Sequence, residues 1–162
     1  MLLEFRPFFL WSGTQQEHLY LLKRGVTYWN QWRQEHPEIL IDLSKAALNE
    51  IDLSSINLKK TNLSMANLSG SNLRVANLEE ANLTMTNLHA ANLRLANLRA
   101  ANLHAADLSM ADLREADFRA ANLKVADLSS ADLRGTNFDG ATFEMTILDN
   151  ARKRRGFRDL FS

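Results

Sequence analysis

A leucine or phenylalanine stands at position 43 and at every fifth residue through 148, 22 times without a slip. No other property of the chain narrows its fold as far. An α-helix advances about 100° per residue, so leucines five apart rotate by about 140° each time and smear around every side. A flat strand fails as well, because five is odd and successive leucines would point to opposite faces. The leucines share one environment only if the chain turns once per unit. A solenoid with one five-residue side per unit meets that condition, and a fixed period marks such arrays.

The units are nearly identical: Ala81-Asn82-Leu83, Ala91-Asn92-Leu93, Ala101-Asn102-Leu103 and Ala111-Asp112-Leu113 each precede two variable residues. This A-(N/D)-L-x-x run resembles the pentapeptide-repeat family over about two-thirds of the chain. The resemblance implies an all-β solenoid, a right-handed quadrilateral parallel β-helix with four units per coil. In that fold the central Leu/Phe and the residue two before it point inward, and the other three point out. The run of units then makes about five and a half coils, a rod roughly 25 Å long at the usual strand spacing. The inward position before each centre is mostly Ala, with Thr, Ser or Ile in the rest, so the interior stays narrow. Each buried leucine contributes on the order of 1.5–3 kcal/mol, offset by backbone ordering. Phe118 and Phe138 are one coil apart and should stack. The Asn or Asp before each centre tolerates turn geometry and bonds nearby backbone, so Asn72 and Asp112 read as turn residues, not ligands.

Three segments follow from the pattern: an aromatic-rich, partly helical N-terminal cap over residues 1–40, the β-helix over 41–150, and a basic tail or cap over 151–162. Met1–Gly13, with Phe5, Phe8, Phe9 and Trp11, is too short for a core and is expected to pack on the first coil or the next segment. Thr14-Gln15-Gln16-Glu17 fits a capping box for a short helix that stops at Gly25. A second helix runs from Val26 to about His36, carries Trp29 and Trp32, and ends before Pro37. The order Gly25-Val26, Trp29-Asn30, Trp32-Arg33, Pro37, Asp42-Leu43 is similar to a leader that precedes many bacterial pentapeptide arrays. A cap is needed because a solenoid end exposes apolar interior and open strand edges. The array starts loosely, with Ile41, Ile51 and Ile56 in the small position and Ala47 in the polar one, and decays at Thr142 and Ile147.

Composition excludes several classes. Lys+Arg and Asp+Glu balance at 19 each, and cysteine is absent, so there is no disulfide framework and no thiolate chemistry. The apolar start is broken by Glu4, Arg6 and Pro7 and does not read as a secretory signal. No stretch approaches the roughly 20 apolar residues of a membrane helix, and a cytoplasmic protein is the default. His89 and His104 fall on different sides, and no Cys/His/Asp cluster has metal-ligand spacing. No serine is placed with a His and a carboxylate, and no glycine loop is built for phosphate. The expectation is a protein without catalytic, cofactor or metal residues.

Function, where the sequence shows it, lies in columns of outward residues 20 apart. One column reads Ser54, Arg74, Arg94, Arg114, Arg134; the neighbouring side adds Lys59, Glu79, Arg99, Arg119 and Asp139. Like charges in file repel unless Glu79, Glu115, the aspartates or a bound anion relieve them. Another column presents Met65, Met85, Ala105, Val125 and Met145, an apolar line suited to a partner or a second copy. Residues 41–150 carry ten basic and fourteen acidic residues, whereas the tail is +4 from five basic and one acidic.

The leading reading is a non-enzymatic rod that presents its faces to a macromolecular partner, expected to be a protein. The alternative is polyanion binding, to nucleic acid or an acidic protein, on the arginine column with help from Arg152–Arg155. The resemblance also implies a third reading, because the best-understood relatives imitate duplex DNA and bind type II topoisomerases. That mimicry needs acidic columns, and the strongest column here is arginine. In several relatives a C-terminal cap builds a two-fold dimer, so a homodimer through the tail is a further expectation. Ice binding would need outward threonine arrays, but Thr61, Thr86, Thr136 and Thr146 all stand at inward positions.

Overall fold

The computed structural model describes residues 14–153. The expectations for Met1–Gly13 and for the tail beyond Lys153 lie outside them. Within the array, unit 81–85 shows how five residues close a side. Ala81 N donates to Leu78 O (3.0 Å), Asn82 N to Thr61 O (3.0 Å), Leu83 N to Asn102 O (2.7 Å) and Met85 N to His104 O (2.9 Å). The fifth amide, Thr84 N, donates to Asn82 Oδ1 at 3.2 Å. All five amides are therefore bonded, as buried backbone requires. Asn or Asp recurs before each leucine because its short side chain carries an acceptor within reach of the amide two residues on.

Parallel bridges pair residues 20 apart from Asp42–Asn62 through to Asp132–Arg152. Four units thus close one coil, and the columns inferred from the sequence stand in register. The corners are built differently from the expectation. The residue held at positive φ is the second after each leucine, and the Asn or Asp is not among these residues. Nineteen non-glycine residues from Lys45 to Asn150 have φ between 54° and 62°, and Gly70, Gly135 and Gly140 occupy the same corner. With Thr86 N donating to Leu83 O at 3.1 Å, the corner has the pattern of a type II turn, whose third residue needs positive φ. The left-handed region costs a non-glycine residue about 1–2 kcal/mol. The coils hold it there: Met85 N bonds the coil after it, and the amide that follows closes the turn.

The core is a column of leucines that are 0% exposed from Leu58 through Leu128, with Phe118 and Phe138 stacked at 5.3 Å. The alanines two before them are also buried. Thr86 sits there with its hydroxyl donating to Leu63 O at 2.8 Å, one coil back. Thr136 and Thr146 repeat that bond to Leu113 O and Leu123 O. Thr61 is equally buried, but its hydroxyl has no partner, because the coil before it does not extend back that far. One inward assignment fails: Ile51 is 37% exposed.

Two helices precede the array. Helix α1 (Gln15–Lys23) starts at Thr14, whose amide donates to Glu17 Oε2 at 3.1 Å; α2 (Val26–Glu35) follows the turn at Gly25, φ 96°. Trp29 is 0% exposed, and its Nε1 donates to Asn57 O at 2.7 Å. Asn30 accepts from Asn57 N (2.8 Å) and donates to Ser55 O (2.9 Å); Arg33 donates to Lys59 O (3.1 Å). From α1, Gln15 donates to Ser44 O, and His18 Nδ1 accepts from Asp42 N at 3.1 Å. Burial pushes His18 below the ordinary imidazole value, with bonding to Asp42 opposing it. Among the described residues no helix is long and apolar enough to cross a membrane.

Candidate interaction surface

The twenty-residue coil sorts outward residues onto four sides, and the sides differ in charge. On the two sides that begin the middle coils, residues 61–70, 81–90 and 101–110 carry one charged residue, Asp107. On the other two, residues 71–80, 91–100 and 111–120 carry ten. Over these middle coils the rod is thus split lengthwise into a nearly uncharged half and a charged half, whereas beyond residue 120 the first half also carries Lys124, Asp127, Glu144 and Asp149. This segregation was open to sequence reasoning once the chain was laid out in rows of twenty, but individual columns alone did not bring it out.

On the charged half, the arginine column is largely neutralised by its own neighbours. Arg114 grips Asp112 (Nε–Oδ1 2.8 Å, Nη2–Oδ2 2.6 Å), and Arg134 grips Asp132 in the same way (2.8 and 2.6 Å). Arg94 reaches Glu115 on the next coil at 2.8 Å. On the adjacent side Arg119 takes Asp117, and Lys59 takes Glu79 at 3.0 Å. The spacing explains the pairing: the carboxylate before each leucine and the arginine after it leave the same strand on the same outward face. These hydrogen bonds from Arg114, Arg119 and Arg134 hold Asp112, Asp117 and Asp132 below the usual carboxylate range. The same contacts push Arg114 upward. Among the described residues, Arg74 and Arg99 make no ion pair within 4.0 Å.

On the uncharged half, the methionine column stands at a corner. Met65 and Met85 are each 53% exposed, Val125 43% and Met145 78%. All three methionines and Val125 occupy the strained positive-φ position, which aims the side chain away from the coil. Met110, 61% exposed, lies on the next corner and was not part of the sequence reading. The face between these corners is made of small polar groups: Ser69, His89, Ser109 and Ser129, with His89 Nδ1 2.8 Å from Ser109 Oγ. Asparagines are laddered along the rod, for example Asn82 to Asn62 (3.2 Å) and Asn92 to Asn72 (3.3 Å).

Nothing in this geometry resembles a reaction centre. Among the described residues no group of three His, Cys, Asp or Glu side chains is placed to hold a metal ion. A shallow groove of about 440 Å³ opens beside Met110, and the carboxylates lining it, Asp112 and Asp132, are already held by arginines.

The family model for pentapeptide repeats matches in eight copies, over residues 41–74, 75–109, 96–135 and 116–152. Among solved structures, a pentapeptide repeat protein from the thylakoid lumen of Arabidopsis thaliana is 28% identical, over 72% of this chain and 78% of that one, with a TM-score of 0.63. HetL, a pentapeptide repeat protein of the cyanobacterium Nostoc involved in heterocyst differentiation regulation, is 31% identical over 69% of this chain and 70% of its own, with a TM-score of 0.39. A pentapeptide repeat protein from the cyanobacterium Cyanothece is 25% identical over 78% and 94%, with a TM-score of 0.41. No curated protein sequence matches the chain. The architecture that the family model and the Arabidopsis structure imply is the right-handed quadrilateral β-helix.

Proposed function

The chain belongs to the pentapeptide-repeat family, and on that premise we propose that it is a non-enzymatic rod that binds a protein partner along its uncharged half. The rod spans about five and a half coils by the twenty-residue spacing, with the segment before residue 41 closing one end and the basic tail from 151 at the other. The observation that carries the reading is the exposed line Met65, Met85, Val125 and Met145 on a half whose segments 61–70, 81–90 and 101–110 carry one charged side chain, Asp107. Neutral surface with unbranched apolar side chains is desolvated at low cost, and methionine adapts to an irregular partner. The charged half supports the reading from the opposite side. Arg94, Arg114 and Arg134 are engaged by carboxylates, so a polyanion would have to displace Glu115, Asp112 and Asp132 before gaining their charge. It also lacks the acidic columns that a duplex mimic needs.

The test sets two variants beside wild type in a partner capture from nuclease-split lysate. Met65→Asp with Met85→Asp should lose the partner, whereas Glu at positions 74, 94, 114 and 134 should keep it, with little dependence on salt. Loss with the glutamate set alone, steep salt dependence and nuclease sensitivity would instead establish the arginine column as a polyanion site.

A further inference from the structure

Methionine is distributed along the array in a one-sided way. Leu or Phe fills all 22 centres and Ala, Thr, Ser or Ile the other inward position. No methionine therefore enters the core, although an unbranched thioether packs well in one. All four methionines of the array, Met65, Met85, Met110 and Met145, stand second after a centre, at the corner held at positive φ. Each is more than half exposed. All four lie on the two sides that form the nearly uncharged half. Among the described residues no other side chain carries sulfur, and both tryptophans, Trp29 and Trp32, are buried. The side chains most open to an oxidant are thus gathered on one half of the rod.

We propose that these four thioethers are a modification site for two-electron oxidants of the peroxide class, and that their oxidation turns off the docking face. The second step rests on the proposed function of that face. In the reaction a sulfur lone pair attacks one peroxide oxygen and the O–O bond breaks. The other oxygen leaves as water, so sulfur loses the two electrons that the peroxide gains. Thioether oxidation follows exposure, and the sulfoxide is polar where the thioether was apolar. The placement of the sulfurs makes this a switch and not a lesion. Each stands at a corner outside the packed interior, where Leu68, Leu83, Leu88 and Leu108 are 0% exposed, so the added oxygen meets water and not the core. Met65 and Met85 are one coil apart, about 5 Å along the rod. Their sulfoxides set two strong acceptors side by side where a partner supplies apolar cover. Each acceptor desolvated without a donor weakens binding by about tenfold or more. Reduction restores the thioether, so the change is reversible.

The test treats the full-length chain with hydrogen peroxide, removes the excess with catalase, and compares it before and after reduction by methionine sulfoxide reductases of both stereospecificities. Peptide mapping should find Met65, Met85, Met110 and Met145 oxidised at rates within about tenfold of free methionine, with the thermal transition unchanged. Slower reaction, or a lost transition, overturns the site. Partner capture from untreated lysate should fall by about tenfold or more in step with occupancy at Met65 and Met85, and should return after reduction. If the oxidised chain keeps a partner that Met65→Asp with Met85→Asp loses, the docking reading stands and the switch is refuted. A loss that reduction does not reverse, or that follows Met1 instead, refutes it as well. If wild type captures nothing, or the aspartate pair keeps the partner, the docking reading itself fails and the switch falls with it.

Discussion

The middle coils and the first coil are made from the same five-residue unit, yet they solve the backbone problem in opposite ways. In the middle, unit 81–85 finds every amide partner in its own unit, in the unit before it and in the coils on either side. In the first coil, unlike side chains do that work: a histidine, a glutamine, an asparagine, an arginine and a tryptophan from two helices. A repeat supplies partners only to its own kind. Its ends must be closed by sequence that does not repeat, and each closing contact is built singly. Stability should therefore be redundant along the rod and concentrated in a few residues at the rim.

Five experiments break or sharpen that contrast, in order of expected effect. Leu93→Asp places an unpartnered carboxylate between two coils and should cost more than about 4 kcal/mol, abolishing the cooperative thermal transition; unchanged melting would refute the inward column. At the rim, Asn30→Ala strands Asn57 N–H and Ser55 O and should cost about 1–3 kcal/mol in urea unfolding, while the exposed neighbour Gln31→Ala stays within about 0.5 kcal/mol. A threonine pair isolates the difference directly. Thr86→Val, which removes the hydroxyl bond to Leu63 O, should cost about 1 kcal/mol, whereas Thr61→Val, at a site where the hydroxyl has no partner among the described residues, should cost nothing or stabilise.

The fourth test uses pH. His18 has a folded-state value below 6.5 because it is buried, so the unfolded chain binds the proton more readily. Its contribution is complete above pH 6.5 and declines as pH falls below that value. Asp42, Glu17 and Arg33 are the charges around it. Wild type should lose stability between pH 6.5 and 5 relative to His18→Gln, a comparison that chemical denaturation at each pH supplies; parallel curves would contradict the buried neutral ring. Least of all, Arg94→Ala should leave stability within about 0.5 kcal/mol by thermal melting, since its pair with Glu115 is exposed.

Much of this was legible in the residues. The buried leucines, the alanine interior, the Phe118–Phe138 stack, both helices and their boundary near Gly25 follow from periodicity and capping rules. The columns followed from the four units per coil that the resemblance to pentapeptide-repeat proteins implies. The corner conformation was not legible. Met85, Val125, Glu115 and Ala100 all sit at positive φ, and nothing in those residue types announces it, since the neighbouring coils impose the turn. Nor did the arginine column disclose its state. The residue list shows four cations in file, and only the placement of Asp112, Asp132 and Glu115 shows three of them engaged.

The sequence by itself therefore determined that the array is a solenoid, because a strict period of five treats every leucine alike only if the chain turns once per unit, and the family resemblance supplied the inward and outward assignment. Tertiary structure decided where the repeat ends count. Ile51 and Ile56 are the same residue at the same position of the unit, yet one is 37% exposed and the other 0%. The physical reason is that Trp29 and Asn30 of α2 bond the backbone of Asn57, next to Ile56, whereas among the described residues the amide of Asp52, next to Ile51, has no such partner.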